Sequence, residues 1–265
     1  MSARRALARV LASSLSTFSV LLIALAVACG NGADTTLTLR ADLSELGADA
    51  DPDVVVEEAA EVLRARLDIF GAGRADVSVD GERMTVSTDI DIEIARRLLL
   101  PRGVLIFQQP ATDSAGLVAC RNAAGDEFFV TPLQVNPDEG TRSPARCFGR
   151  AQVGDPQWEP TATDEEGQNL ATLIEPGSWD ISNNTALAVQ FTDEGSRLLE
   201  RVTGELTGYP LGVFVDGQLI GAPRIQRTIT SGRPLISGFT EVEARIRRAQ
   251  LNAGPLPLDL SEEPD

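Results

Sequence analysis

From Thr35 to Gln109 the hydrophobic period of the chain switches repeatedly between strand-like and helix-like spacing, and that order leaves few ways to build a core. The segment TTLTLRADL, Thr35 to Leu43, places apolar residues at alternate positions, as a strand with one buried face requires. In DADPDVVVEEAAEVLRARLDIFG, Asp51 can cap and Pro52 suits a first turn. Ala59, Leu63, Leu67 and Phe70 then share one helical face before Gly71. Two more alternating runs, in ADVSVDGERMTVST, turn about Asp80-Gly81. The run IDIEIARRLLLPRG predicts a second amphipathic helix stopped at Pro101, and VLIFQQ, Val104 to Gln109, a strand.

Strand, helix, hairpin, helix, strand is the split pattern of a ferredoxin-like sheet with two helices on one face, so the expected class is α+β. From Pro110 to about Asn184 the pattern gives way to Pro, Gly, Asp and Thr with short apolar runs such as EFFVTPLQV. This stretch is expected to be an elaborated insertion, mostly loop. Regularity returns with the strand TALAVQF, a helix DEGSRLLERVTGEL opened by Thr192, strands on either side of Asp216-Gly217, and a short strand LISG. The helix TEVEARIRRAQLNAG carries the capping-box pair Thr240 and Glu243 and ends at Gly254. A last alternation, LPLDL, precedes the acidic run SEEPD, residues 261–265, expected to be a solvated tail.

The charged residues narrow the chemistry. The chain has no His and no Lys, so its 23 cationic residues are all Arg. The commonest general base, the Schiff-base amine and the imidazole metal ligand are absent together. A formal charge of -16 argues against nucleic acid or an anionic membrane surface as partner. Asp49, Asp51 and Asp53 have calcium-loop spacing, but the sixth-position glycine is missing and Ala60 stands where the bidentate Glu belongs; they are expected to be an acidic helix start. Asp216 sits between the apolar runs VFV and QLIGAP, where a carboxylate could do chemistry. Asp-Gly is also the strongest two-residue hairpin signal, and Asp216 is expected to turn the chain. No catalytic, cofactor or metal residue is assigned, no small-molecule substrate is indicated, and an enzyme is not expected.

At the amino terminus Arg4, Arg5 and Arg9 precede an apolar run ending Ala26-Val27-Ala28-Cys29. This is similar to a bacterial lipoprotein signal, with residues 1–28 removed, Cys29 lipidated and residues 29–34 a tether outside the cytoplasm. The alternative is an uncleaved membrane helix, although Ser13, Ser14, Ser16 and Thr17 dilute a run shorter than the ~20 apolar residues of a span. With Cys29 lipidated, Cys120 and Cys147 remain as an even pair, for which a disulfide is expected; a free-thiol or metal pair is the alternative.

The stretch GYPLGVFVDGQLIGAPRIQRTITSGRPLISGFTEVEARIRRAQLNAGPLPLDL closely resembles the end of the first periplasmic domain of SecD, the export-assisting subunit of the bacterial Sec translocase. The resemblance rests on Asp216-Gly217, Ala222-Pro223, Ile229 with Ile236-Ser237-Gly238, and Gly254-Pro255-Leu256-Pro257, where Pro255 replaces the family's usual Ala. Upstream, FTDEGSRLLERVT is similar to a family helix, with Leu199 in place of an aromatic residue. The segment AAEVLRARLDIFGAG matches the family through Arg66, Asp68 and Gly71, and GERMTVST and ARRLLLPRGVLIFQ also resemble family segments. The family's L-D-L-x-G-G entry to the first strand is missing; LTLRADL stands there.

The resemblance implies a ferredoxin-like base, residues 35–110 and 254–260, with an α+β head, residues 111–253, inserted into it. Hinges are expected near Gln109-Pro110 and Gly254-Pro255. It also implies an extracytoplasmic domain that holds unfolded or emerging exported polypeptide beside the Sec translocase; the amino-terminal signal adds a lipid tether to the membrane, and, unlike the family, no proton pathway of its own is expected. The alternative expectation is a structural or assembly lipoprotein of the cell envelope that keeps the fold but not polypeptide binding.

Overall fold

The structure, a computed structural model, describes residues 35–112, 115, 118–121, 127–130, 153 and 158–263. In chain order its elements begin β1 (Thr35–Ala41), α1 (Pro52–Phe70), β2 (Ala75–Asp80), β3 (Arg83–Thr88), α2 (Ile92–Leu99), β4 (Leu105–Pro110), β5 (Val118–Arg121), β6 (Glu127–Val130) and β7 (Trp158–Pro160). A 3-10 turn, Leu170–Leu173, then leads to β8 (Asp180–Ser182), β9 (Ala186–Ala188), α3 (Asp193–Glu205), β10 (Gly212–Val215), β11 (Gln218–Gly221), β12 (Leu235–Ser237), α4 (Glu241–Ala253) and β13 (Leu260–Glu262).

Local chemistry places the first of these where the sequence predicts. The Asp51 carboxylate accepts from the Asp53 amide at 3.1 Å, and Pro52 occupies the first turn of α1. Gly71, at φ 91°, ends that helix by donating to the Leu67 and Asp68 carbonyls, a left-handed cap that a side chain would strain. The acidic start of α1 is therefore a cap. In the β2–β3 hairpin Asp80 pairs with Arg83, so the loop is Gly81-Glu82 and not Asp80-Gly81. Of these residues only Gly81 has positive φ, 58°, so glycine leads this turn.

The first sheet has the order β13-β1-β3-β2, antiparallel throughout. β3 pairs with β1 from Thr35↔Thr88 to Arg40↔Arg83, and β13 closes the other side from Leu39↔Glu262 to Ala41↔Leu260. Two expectations are corrected here. The strand expected to complete this sheet, β4, lies in another, because its residues bury apolar side chains on both faces: Phe107 enters one core and Ile106 packs against a different one. Its place is taken by β13 from the far end of the sequence, so Ser261 and Glu262 are strand residues and not solvated tail. Ion pairs accommodate the acidic sequence of that strand. The Arg96 guanidinium donates to Glu262 at 2.7 and 2.8 Å, and Arg83 Nε donates to Glu263 at 2.7 Å.

The first core lies between this sheet and α1 and α2, with Leu37, Leu39, Leu63, Leu67, Met84 and Leu98 fully buried. α4, expected in the head, contributes Ile246 and Ala249 to it. Arg245 and Arg248 of α4 donate to the Phe70 and Ile69 carbonyls at 2.8 and 2.5 Å, so cations cover the exposed carbonyl end of α1. Arg245 also lies 4.4 Å over the Phe70 ring.

The second core is built on the sheet β11-β10-β4-β7 and the smaller sheet β12-β9-β8. It gathers Phe107, Leu187, Phe191, Leu199 and Val213, together with Ala244 from α4. On the other face of β10, Trp158 and Phe214 meet edge to face at 5.4 Å, a favoured aromatic geometry. β5 and β6 pair with each other, Cys120 standing opposite Phe128 in the ladder. Both cores lie within one compact unit, Ala33–Asp265.

Candidate functional site at the junction of the two cores

Two stretches cross the junction: residues 100–104, from α2 to β4, and residues 254–259, from α4, which packs on both cores, to β13. Arg66, on the buried face of α1, points its guanidinium at both. Its side chain is fully buried, and Nη1 donates to the carbonyls of Leu98, Leu99 and Pro101 at 3.2, 3.3 and 2.5 Å. Nη2 donates to those of Arg102 and Gly254 at 2.6 and 3.3 Å. Burial pushes this guanidinium down to about 10, and the nearby Asp216 carboxylate acts in the opposite direction. It therefore remains charged at neutral pH and draws together the carbonyl end of α2 and both crossings.

Asp216 approaches the first crossing from the second lobe. It holds positive φ, 50°, with Gly217 at 74°, and Val215 pairs with Gln218, so the pair forms the expected two-residue hairpin turn. The turn is only half its role. Oδ1 accepts from the amides of Gly103 and Val104, both at 2.8 Å, and Oδ2 lies 3.0 Å from the Gly103 nitrogen. The Asp216 amide in turn donates to the Val104 carbonyl at 2.9 Å, and the Gly217 carbonyl accepts from Val153 at 2.8 Å. A Cβ on Gly103, φ 85°, would stand 2.9 Å from Arg66 Nη2, so this position needs glycine both for its dihedral and for space.

The two crossings also touch each other. Leu256 donates its amide to the Arg102 carbonyl at 2.8 Å, and the Arg102 side chain donates to the carbonyls of Leu256 and Pro257 at 3.4 and 3.3 Å. Beside them opens a cleft of about 530 Å³ whose apolar lining includes Val104, Ile106, Ile174, Trp179, Leu251 and Pro255. Asn252 fixes one wall: its side-chain Oδ1 accepts from the Trp179 amide at 2.9 Å and its Nδ2 donates to the Trp179 carbonyl at 2.8 Å.

The junction thus gathers Arg66, Asp216, Gly254 and Pro257 of the residues singled out from the sequence. Asp68 is exposed at the end of α1 and lends only its carbonyl to the Gly71 cap. Pro223 accepts from the Leu211 amide in the approach to β10, and Gly238, φ 105°, follows β12; neither reaches the junction residues. The hinge expected at Gln109-Pro110 is displaced. Both residues lie inside the β4–β7 ladder, opposite Glu159 and Trp158, and the Gln109 side chain donates to Glu159 at 2.9 Å, so the crossing falls earlier, at Leu100–Val104. Gly254-Pro255 does lie at the second crossing. Cys29 and Cys147 are outside the described residues, and with them the expected lipidation and the pairing with Cys120.

Sequence reasoning missed Asp216 as a backbone acceptor, and Asn252. Arg66 carried a readable signal, being a cation among Leu63, Leu67 and Phe70 on an apolar helical face. Among the described residues no group of three or more His, Cys, Asp or Glu is arranged to hold a metal ion, and no helix is long and apolar enough to cross a membrane.

Fold and junction together define a two-lobed α+β domain whose lobes share a pair of crossings. Residues 166–258 match the family of the SecDF P1 head subdomain. Over 222 residues the chain is 36% identical to the protein translocase subunit SecD of Desulfurispirillum indicum, covering 79% of this chain and 40% of that protein. It is 26% identical over 211 residues to SecD of Magnetococcus marinus, covering 77% and 38%, and 27% identical over 212 residues to SecDF of Thermus thermophilus, covering 77% and 27%. The chain therefore spans less than half the length of these relatives. A crystal structure of SecDF in a super-membrane-facing form superposes with TM-score 0.55 at 21% identity, over 86% of this chain and 29% of that one. A structure described as a membrane component SecDF that enhances protein export gives TM-score 0.53 at 20% identity, over 87% and 99%. The mixed helix and sheet content matches these folds.

Proposed function

We propose that this chain is a SecD-like extracytoplasmic domain, anchored through a lipid on Cys29, that binds unfolded or emerging exported polypeptide and assists Sec-dependent export without a catalytic step. The observation that carries this reading is the match of residues 166–258 to the SecDF P1 head, joined to sequence similarity reaching into the first lobe. In this reading the first sheet with α1 and α2 is a ferredoxin-like base, since β13-β1-β3-β2 is the antiparallel order of that fold with β13 in the fourth position, and α4 packs on both lobes. The second lobe is the inserted head. The apolar cleft beside the junction offers an exported chain a wall of aliphatic and aromatic side chains.

A crosslinker placed at Ile174 or Leu251 in the full-length protein, in membranes carrying an arrested export intermediate, tests the reading. Adducts to the arrested chain, lost when the chain is released and folded, are expected. Labelling that is indifferent to the folding state of the exported protein refutes polypeptide holding. The Cys29→Ser chain should appear in the soluble fraction; its retention in membranes rules out the lipid anchor.

A further inference from the structure

We infer that Asp216 is a latch that fixes the angle between the two lobes by clamping the Arg102-Gly103 peptide of the first crossing. The peptide unit between Arg102 and Gly103 is held at both ends. Its carbonyl accepts from Arg66 at 2.6 Å, a residue of the first lobe, and its amide donates to Asp216 at 2.8 Å, a residue of the second. Cation at the oxygen and anion at the N–H both align with the peptide dipole, so each hydrogen bond strengthens the other. No residue lies between the two grips, and the crossing cannot turn while both are closed.

The grips are unequal. Arg66 is fully buried and holds five carbonyls, two at the end of α2 and three on the crossings, whereas Asp216 is exposed and holds two amides on one. Water can replace the amides around an exposed carboxylate with little desolvation cost. The Asp216 backbone remains bonded to Val104 and the β4–β10 ladder stays intact, so release would free the Gly103 dihedrals and not the second sheet. Gly103 and Gly254 both hold positive φ, 85° and 83°, and both adjoin Arg66 Nη2, which gives each crossing a glycine pivot at the same place. Asp216 locks the first of these pivots.

The test uses the full chain with Asp216→Gly, which preserves positive φ in the turn, and Asp216→Asn, whose side-chain oxygen can still accept from both amides. Two readouts are taken: hydrogen exchange at Gly103 and Val104, and the distance between spin labels at Glu82 in the first lobe and Asn183 in the second, with the native cysteines changed to Ser. For Asp216→Gly the latch predicts at least about tenfold faster exchange at both amides, the scale of losing a hydrogen bond to a charged group. Exchange at Leu63 and Leu199 should be unchanged and the inter-lobe distances broadened, with Asp216→Asn close to the parent chain. A parental distance distribution in Asp216→Gly, or faster exchange spread equally through both cores, overturns the latch.

Discussion

Replacing Arg66 by Met removes the guanidinium while keeping most of the buried stem, and its cost can be worked from the junction geometry. The two shortest contacts, 2.5 Å to Pro101 and 2.6 Å to Arg102, are hydrogen bonds to a charged donor, each worth about 1.5–3 kcal/mol. Against them stands the burial of the charge, which lowers the guanidinium to about 10 and so costs on the order of 3 kcal/mol that the Met chain does not bear. The substitution also strands the carbonyls of Leu98 and Leu99, among others, in a buried place at about 1–3 kcal/mol for each that water cannot reach. The lower ends of these terms leave a net destabilisation of at least about 2 kcal/mol, as expected for breaking a buried polar network. Urea unfolding followed by circular dichroism and by tryptophan fluorescence measures it, both tryptophans of the chain, Trp158 and Trp179, lying in the second lobe. Arg66→Lys should recover only part of the loss, because an ammonium cannot span both crossings. An Arg66→Met chain with the parent's midpoint and slope would refute the view that Arg66 ties the crossings together.

Three further outcomes follow from the same contacts. Arg96 holds Glu262, and Arg83 holds Glu263, below the ordinary carboxylate range. Their contribution is full above the ordinary glutamate value and is lost as the pH falls through the depressed ones, so the Glu263 amide, bonded to Thr38 at 2.9 Å, should lose exchange protection in acid before the β2–β3 ladder does. Equal loss in both places contradicts this. Thr240→Ala removes the oxygen that caps the Glu243 amide at 3.3 Å and should lower stability by about 1 kcal/mol in the same urea assay; no change would show the capping box to be idle. A Cβ at Gly195 would run into the Leu173 carbonyl and stand 2.9 Å from the Phe191 ring, so Gly195→Ala should cost about 1–3 kcal/mol, and a neutral result would mean the first turn of α3 can shift away.

What the sequence displays is local. The cap at Asp51, the glycine end of α1, the Asp216-Gly217 turn and the Thr240-Glu243 box each depend on residues a few positions apart, and each forms. Which strand completes the first sheet is a contest between β4 and β13, and alternation alone cannot decide it, since both runs pair equally well as backbone. Burial decides: β4 has apolar residues for two faces, whereas β13 is short, one-sided and supplied with cationic neighbours. The junction was half legible. Arg66 stands out on an apolar helical face, but its partners are backbone carbonyls, which every sequence contains and none displays. Asp216 was readable as a turn, and that explanation was sufficient, which hid its second set of partners more than a hundred residues away at Gly103 and Val104.

The most direct test of a SecD-like holding domain is equilibrium binding of the purified protein to a secreted polypeptide presented both reduced and unfolded, and folded. The account predicts preferential binding of the unfolded chain, weakened when Ile174 and Leu251 in the cleft are changed to Asp. Equal affinity for the two forms, or no binding to either, would contradict it.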